Sequence, residues 1–259
     1  MAKTRSKIPE FLKEYPFGVL LGSLLLIIMA APLTERLSHH ISFMHGQAAI
    51  APFVFLLTVA SAIALWTTPR HRTVTIVSGG TVLLLLYFST VFRHASFAAV
   101  HLTAQTFFMG FVIAVMLRRV FSAPVVDANI LCGAASLYML IGVMMGFVFS
   151  LIEIAVPDSF TIIPPGNEKL PHPIHPGPGW LIYYSFTTLT TVGFGDVLPS
   201  SDLARSASVF EAVVGQMLLV VMMARLVGLH VAQVSTRHHQ PVVFETSDGP
   251  HKKPPHSLP

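Results

Sequence analysis

Six long apolar runs constrain the fold of this chain more than any other feature of its sequence. They cover about residues 17–33, 47–66, 73–92, 95–117, 129–152 and 206–224. Each run is close to the roughly 20 residues that an α-helix needs to cross a bilayer. No run has Lys or Arg in its interior, and only 11% of the 259 residues are charged, about half of the fraction in soluble domains. The sequence therefore predicts an all-α integral membrane protein with six transmembrane helices.

Basic residues flank these runs unevenly, and their distribution predicts the orientation of the chain. One set precedes the first run and occupies alternate connections: Lys3, Arg5, Lys7, Lys13, Arg70, Arg72, Arg118 and Arg119. The remaining connections hold fewer: Arg36, Arg93, Lys169 and Arg205. Because cytoplasmic loops are enriched in Lys and Arg, we expect a multi-pass protein of the inner cell membrane with both termini in the cytoplasm. This bias also explains the net charge of +4 without nucleic acid as a partner.

The first run leaves an alternative open, because it follows a basic segment and ends near Ala30, Ala31 and Pro32, as a cleaved signal peptide would. Its basic segment is long, however, and no clear cleavage site follows. A transmembrane helix is therefore the favoured interpretation. The single cysteine, Cys132, excludes an intrachain disulfide.

The stretch at residues 188–196, Thr-Leu-Thr-Thr-Val-Gly-Phe-Gly-Asp, lies between the fifth and sixth runs. Glycine adopts backbone conformations that are closed to other residues, and Gly193 and Gly195 are two positions apart. Alternating conformations of that kind turn successive carbonyls toward one side of the chain. Val192 and Phe194 would turn their side chains outward. A glycine pair alone would indicate only a turn after a helix, but here threonines, an aspartate and flanking apolar runs accompany it.

This pattern, TxxTxGxGD, resembles the signature of the potassium channel family. The matching residues are Thr188, Thr191, Gly193, Gly195 and Asp196. Potassium filters replace the hydration shell of the ion with rings of backbone carbonyls. The resemblance implies four carbonyls that bind K+, with the hydroxyl of the first residue as a further ligand. These carbonyls belong to Thr191, Val192, Gly193 and Phe194.

The resemblance also implies a re-entrant pore helix and a selectivity-filter loop between helices five and six. One chain cannot enclose an axis, so a homotetramer is expected. The similarity is specific over about residues 130–231 and merely topological over the first four runs. The arrangement resembles bacterial six-transmembrane potassium channels that lack a regulatory domain.

In the potassium channel family, an aromatic residue of the pore helix hydrogen-bonds the aspartate after the filter. The resemblance makes Tyr183 the candidate partner of Asp196, with Tyr184 as the alternative. Both tyrosines could instead belong to an aromatic belt at the membrane interface.

Glu211 is the only acid inside an apolar run, and a carboxyl group in a membrane span is a functional candidate by default. It lies one helical turn before Gly215, so we expect it behind the filter. There it would be bonded to pore-helix hydroxyls or held by Arg205. Support of the filter is favoured over direct binding of the ion.

Gly215 follows Gly195 by twenty residues and resembles the hinge glycine of the family's inner helix; close helix packing is a compatible alternative. If Gln216 faces the pore axis, helical spacing places further residues on the same stripe. These are Leu219 or Val220, Met223 and Val227. Gln216 would then form a polar ring below the filter, and Met223 an apolar constriction.

The runs divide the chain into three parts. Residues 1–122 are predicted to form a four-helix transmembrane domain, residues 123–232 a pore domain, and residues 233–259 a disordered cytoplasmic tail. The proline-rich segment at residues 157–179 is expected to form an extracellular turret without regular helix or strand. Because the fourth run has no Lys or Arg in its interior, the first domain is not expected to be a charged voltage sensor.

The sequence favours a potassium-selective channel that conducts K+ passively, with K+ as the permeant ion. A weakly selective monovalent cation channel is the first alternative, because Phe194 stands where the family more often has Tyr. A receptor or transporter built around the first four helices is less favoured, since Gly79 and Gly80 are the only hint of a broken helix. No enzymatic constellation or metal-ligand set is recognisable. Neither a partner subunit nor a gating stimulus is indicated.

Overall fold

The computed structural model describes residues 16–38, 43–66, 72–92, 95–163 and 176–238. Within these ranges the chain forms seven α-helices and one small antiparallel sheet. The helices are α1 (Pro16–Ser38), α2 (Phe43–Trp66), α3 (Arg72–Phe92), α4 (Ala95–Ser122), α5 (Ala128–Ala155), α6 (Pro178–Leu189) and α7 (Asp202–His238). The strands are β1 (Phe160–Ile162) and β2 (Val197–Pro199).

Each of the six apolar runs lies within a helix, so the predicted helical class is confirmed for the described residues. Four helical segments are long and apolar enough to cross a membrane, by length and composition: Thr73–Phe92, Ser96–Ser122, Ala128–Ala155 and Asp202–Ala232. Two shorter apolar stretches lie in α1 and α2, at Pro16–Met29 and Val54–Leu65. The chain is therefore a membrane protein with several apolar helices, and six crossings of the bilayer remain a prediction.

Four of the other described helices pack against α5. This helix contacts α1, α4, α6 and α7, and 67% of its apolar stretch is buried in the single chain, against 11% for α7. Asp127 caps α5 by accepting a hydrogen bond from the backbone N–H of Ile130 at 2.7 Å. One continuous core then joins the first helices to α5 and α6. Its members include Leu20, Leu24, Leu57, Met109, Leu137, Leu140, Phe147 and Ile182.

Glycines on α5 and α7 allow both helices to approach α6 closely. A Cβ atom at Gly146 on α5 would lie only 2.7 Å from the Cα atom of Ile182. On the other side, a Cβ atom at Gly215 on α7 would overlap the side chain of Leu189. Small residues are the usual means by which membrane helices bring their backbones together. The absence of side chains at these positions therefore allows α6 to lie between two longer helices.

The expectation of a turret without regular structure at residues 157–179 needs correction. β1 lies inside this segment and pairs with β2, with Ile162 opposite Val197, and α6 begins at Pro178. The residues of β1 precede the cluster of prolines, so they keep their N–H groups, and aromatic and β-branched side chains suit a strand. Residues 164–175, which hold most of these prolines, lie outside the described part of the chain.

The predicted boundary of the tail at residue 233 also needs correction. α7 continues as helix to His238, beyond the boundary drawn at residue 233. That boundary follows the change to polar residues, but polar residues without Gly or Pro can continue a helix. Residues 239–259, the rest of the predicted tail, lie outside the described residues.

Replacing Gly146 by Ala should destabilise the protein, because the added methyl group meets backbone atoms of α6 that cannot rotate away. Overpacking of this kind costs about 1–3 kcal/mol. Gly80→Ala is the matched control, since Gly80 also lies in a helix but nothing lies within 4 Å of a Cβ atom there. Thermal unfolding in detergent measures both variants. Equal unfolding temperatures for G146A and the wild-type protein would show that α5 and α6 are not tightly packed.

Candidate functional site

α6 carries the predicted filter at its carboxyl end. The helix begins with Pro178, whose fixed φ angle suits the first helical position, and ends at Leu189. Its 12 residues extend about 18 Å, which is too short to cross a hydrocarbon core of about 30 Å. At its end, the hydroxyl of Thr190 donates to the carbonyl of Phe186 at 2.6 Å. α6 can therefore place the following residues inside a membrane but cannot carry them across it.

Residues 191–195, which form the filter segment, alternate in backbone conformation. Positive φ angles occur at Thr191 (60°), Gly193 (54°) and Gly195 (78°). The sequence pattern predicts this for the two glycines only, although Thr191 lies two positions before Gly193 and continues the same alternation. A β-branched residue at positive φ is strained by about 1–3 kcal/mol, and such strain is typical of functional sites.

Four carbonyl groups of the filter segment are free of hydrogen bonds from the described residues. They belong to Thr191, Val192, Gly193 and Phe194. The carbonyl of Thr187, on α6, accepts from the N–H groups of Val192 and Gly193 at 2.9 and 3.1 Å. Because C=O and N–H point in opposite directions across a trans peptide, the carbonyls of Thr191 and Val192 point away from α6. The segment is exposed in the single chain, so these oxygens can bind a cation.

Asp196, directly after the filter segment, is bonded to α6. The hydroxyl of Tyr183 donates to Asp196 Oδ2 at 2.7 Å, so the predicted contact is present. The ring of Phe194 stacks on the ring of Tyr183, with centroids 6.3 Å apart and planes 2° apart. Burial and the hydrogen bond to Asp196 raise the pKa of Tyr183 to about 12. The hydroxyl therefore keeps its proton and remains a donor throughout the physiological pH range.

Tyr184, the alternative partner of Asp196, makes other contacts. It is buried, and its hydroxyl donates to Ser208 Oγ on α7 at 2.7 Å. Its ring packs on those of Phe149 and Phe160, with centroids 5.2 and 5.3 Å apart. Tyr184 therefore ties α6 to α5, β1 and α7, and it is not a residue of an interfacial belt.

The two-stranded sheet holds the chain as it leaves the filter segment. β2 begins at Val197, directly after Asp196, and the N–H of Ile163 donates to the Asp196 carbonyl at 2.7 Å. β1 is fixed to α5, because the carboxylate of Glu153 accepts from the N–H of Phe160 at 3.0 Å. The sequence does not predict this sheet, although an aromatic residue and two β-branched residues follow one another in β1.

Glu211 lies behind α6 with only 1% of its surface exposed. Its Oε1 atom is hydrogen-bonded to Oγ of Ser185, so the predicted contact with a hydroxyl of this helix is present. The same Ser185 Oγ lies 2.6 Å from the carbonyl of Gly142 on α5. Arg205, the other candidate partner, instead donates to the carbonyl of Pro199 at 3.2 Å. Glu211 therefore joins α7 to α6 and, through Ser185, to α5.

Tyr138 on α5 makes a further contact with the end of α6. Its hydroxyl donates to the carbonyl of Leu189 at 2.8 Å. Leu189 is the last residue of α6, where carbonyls lack partners within the helix. The sequence gives no sign of this contact, because Tyr138 is one aromatic residue within an apolar run.

α7 passes Gly215 without a break and carries the predicted inner-pore residues. Gly215 packs against Leu189, which supports the close-packing alternative, and its role as a hinge stays a prediction. Gln216 and Leu219 are half-buried, and Met223 is exposed in the single chain. These three side chains are therefore not part of the buried core.

Residues 178–230 match the model of a protein family described as "Ion channel". The match begins at the first residue of α6 and ends in α7, so it contains the filter segment, β2 and the predicted inner-pore residues. No curated protein and no solved structure shows significant similarity to the chain. The free carbonyls therefore lie within a region that is similar to ion channels.

Replacing Tyr183 by Phe should lower the free energy of unfolding by about 1 kcal/mol, because the variant keeps the stacked ring but loses the donor to Asp196. The raised pKa of Tyr183 gives the sign of the pH dependence. Its contribution is fully present below pH 10 and is lost as the pH rises toward about 12, so Y183F should lack this loss.

Chemical unfolding in detergent at several pH values measures this difference. Tyr87→Phe is the control, because Tyr87 is an exposed tyrosine on α3. If Y87F and Y183F lowered the free energy of unfolding equally, the hydrogen bond from Tyr183 to Asp196 would stabilise the protein no more than an exposed tyrosine hydroxyl does.

Proposed function

We propose that this chain is the subunit of a potassium-selective channel that conducts K+ passively across the membrane. The proposal rests on the four free carbonyls at residues 191–194, which follow a short helix within the region that matches an ion channel family. K+ is the transported ion. The four carbonyls and the hydroxyl of Thr191 each replace part of the hydration shell of K+.

Four copies of the chain surround the ion in the proposed channel. One chain offers a single column of carbonyls, whereas a cation gives up its water only when oxygens surround it. Closed rings of identical subunits are a common form of oligomer. The exposure of the filter segment and of Met223 in the single chain is compatible with a fourfold axis beside them. Gln216, Leu219 and Met223 then line the pore below the filter.

α6 serves as a re-entrant pore helix in this proposal. Its carboxyl end carries the negative end of the helix dipole, which favours a cation nearby. A helix that ends inside a membrane is tolerated only where protein or water covers it, and α5 and α7 pack against α6. With the orientation expected from the basic residues, the filter faces the outside of the inner cell membrane.

The surrounding contacts position the filter and do not bind the ion. The carbonyl of Thr188 accepts from the N–H of Thr191 at 3.0 Å, which fixes the turn out of α6. Tyr183 holds Asp196 at the other end of the filter segment. Glu211 supports α6 from behind through its hydrogen bond with Ser185.

The first four helices do not act as a charged voltage sensor in this proposal. In α4 the arginines are confined to the last turns, at Arg118 and Arg119. Arg119 lies over the ring of Phe17, 5.3 Å from its centroid, and donates to the carbonyl of Ala64 at 3.2 Å. A charge held in this way at the end of a helix does not move through the membrane field.

Liposomes that contain the purified protein should release K+ faster than Na+, and Gly193→Ala should remove most of this flux. Gly193 has a φ angle of 54°, where Ala is strained by about 1–2 kcal/mol, enough to lower the population of the native filter about 5–30-fold. Gly22→Ala is the control, because Gly22 lies on α1 and nothing lies within 4 Å of a Cβ atom there. Ion flux from loaded liposomes is the measurement.

Equal release of K+ and Na+ by the wild-type protein would replace this proposal with a weakly selective cation channel. Phe194 would then be the first residue to exchange for Tyr. If a folded protein released neither ion, the channel proposal would be refuted, and a receptor or transporter built around the first four helices would be the remaining candidate.

The conductance should depend only weakly on voltage. One charge that crosses the field contributes about 2.3 kcal/mol per 100 mV, and α4 carries no Lys or Arg in its interior. Currents recorded from lipid bilayers between negative and positive potentials measure this dependence. A steep dependence that disappears when both Arg118 and Arg119 are changed to Gln would show that the first four helices do sense voltage.

A further inference from the structure

Glu211 is enclosed by protein, and no described basic residue pairs with it. Its second carboxyl oxygen, Oε2, is buried without a hydrogen-bond partner. Arg205 and Arg225 of α7 are engaged elsewhere: Arg205 donates to the carbonyl of Pro199 at 3.2 Å, and Arg225 donates to that of Ala123 at 3.4 Å. An ionised carboxylate without a partner is very unfavourable in such a place.

The elements packed against α7 offer Glu211 no positive charge. Near Glu211 these elements are α5, α6 and β2, and none of the three contains Lys, Arg or His. α4, which carries Arg118 and Arg119, meets α7 at Met222, about three turns along the helix from Glu211. Tyr138 on α5 donates its hydroxyl proton to the carbonyl of Leu189. Tyr184 on α6 donates to Ser208. A tyrosine hydroxyl carries no positive charge, whether or not it is protonated, so neither tyrosine compensates a negative charge on Glu211.

The contacts of Ser185 require a proton on Glu211. Its Oγ lies at hydrogen-bonding distance from two oxygens, the carbonyl of Gly142 and Oε1 of Glu211. Two such contacts between oxygens need two protons, and a serine hydroxyl has only one. The carbonyl of Gly142 has no proton to give. If Ser185 gives its one proton to the carbonyl of Gly142, its contact with Oε1 needs a proton from Glu211, and only a protonated carboxyl group can supply one.

We propose that Glu211 is a neutral carboxylic acid in the working protein and that it positions the filter by donating its proton to Ser185. The proton of Glu211 forms a hydrogen bond from α7 to Ser185 on α6, and the hydroxyl of Ser185 forms a second one to Gly142 on α5. The positioning role rests on the proposed channel function, whereas the protonation state does not.

Loss of this proton would disturb α6. An ionised Glu211 accepts from Ser185, whose Oγ then turns a lone pair toward the carbonyl of Gly142. The two helices cannot easily rearrange, because a Cβ atom at Gly142 would already lie 2.8 Å from the ring of Phe186. Repulsion between the two oxygens displaces α6, and the filter segment directly follows α6. Selectivity for K+ should therefore be lost at alkaline pH.

Infrared difference spectroscopy of the full chain in lipid at neutral pH tests the protonation state. The wild-type protein should show the carbonyl stretch of a buried carboxylic acid, and Glu211→Gln should remove it. Glu153→Gln is the matched control. Glu153 is also buried, but its two carboxyl oxygens accept from the N–H groups of Asp158 and Phe160 at 3.1 and 3.0 Å, and these contacts need no proton on Glu153. E153Q should therefore leave the band unchanged.

A second variant makes this test independent of the folding of E211Q. Ser185→Ala removes the acceptor of the Glu211 proton, so the carboxylic acid band should shift toward that of an acid without a hydrogen bond. A wild-type spectrum without the band, or a band that neither E211Q nor S185A changes, would overturn the proposal. These spectra do not depend on conduction, so a failed channel proposal and a failed protonation proposal can be distinguished.

Ion flux as a function of pH tests the positioning role. The wild-type ratio of K+ to Na+ flux should fall as the pH rises, whereas E211Q should keep its selectivity at every pH. The amide of Gln donates to Ser185 as the neutral acid does, and it cannot lose that proton. Identical pH profiles for the two proteins would refute positioning by the proton.

Discussion

A helix that ends inside a membrane leaves carbonyls that lipid cannot hydrogen-bond, and the proposed pore is arranged around this constraint. At the end of α6 the hydroxyl of Tyr138 donates to the carbonyl of Leu189. Two residues earlier, the carbonyl of Thr187 accepts from two N–H groups of the filter segment. The carbonyls that follow, at residues 191–194, have no such donor among the described residues. Protein therefore satisfies the first part of this helix end, and in the proposed channel the transported ion satisfies the rest.

The backbone of the filter segment is not in a conformation that its residues prefer. Thr191 at positive φ costs about 1–3 kcal/mol, whereas a typical hydrogen bond contributes about 0.5–1.5 kcal/mol. A single contact is therefore too weak to hold the segment, and several act together. Bonds to Thr187 hold its start, and the bond from Tyr183 to Asp196 and the two-stranded sheet hold its end. This requirement explains why α6 and the two-stranded sheet hold the segment together, one contact at each end being too little.

The sequence predicts the helices because apolar length is a local property, and every apolar run lies in a helix. It predicts the contact between Tyr183 and Asp196 through resemblance to a family, not through geometry. Contacts between distant segments were harder to predict, since two strands of three residues carry too little pattern to be paired. For Glu211 the sequence left Arg205 and the hydroxyls of α6 as partners. Which of these partners Glu211 contacts depends on how α7 is rotated about its axis relative to α6. The close packing of the two helices determines that rotation.

The surroundings of α7 in the membrane can be inferred better from the nearby polar atoms than from its exposed apolar side chains. Only 11% of the apolar stretch of α7 is buried, but exposed valines and methionines are stable in lipid, which is equally apolar. The free carbonyls at residues 191–194 and the amide of Gln216 differ, because lipid offers them no hydrogen bonds. Each unpaired polar group of this kind costs several kcal/mol in hydrocarbon. Cover by an apolar protein surface would leave the same deficit, so in the proposed channel these groups face water or ions that lie between copies of the chain.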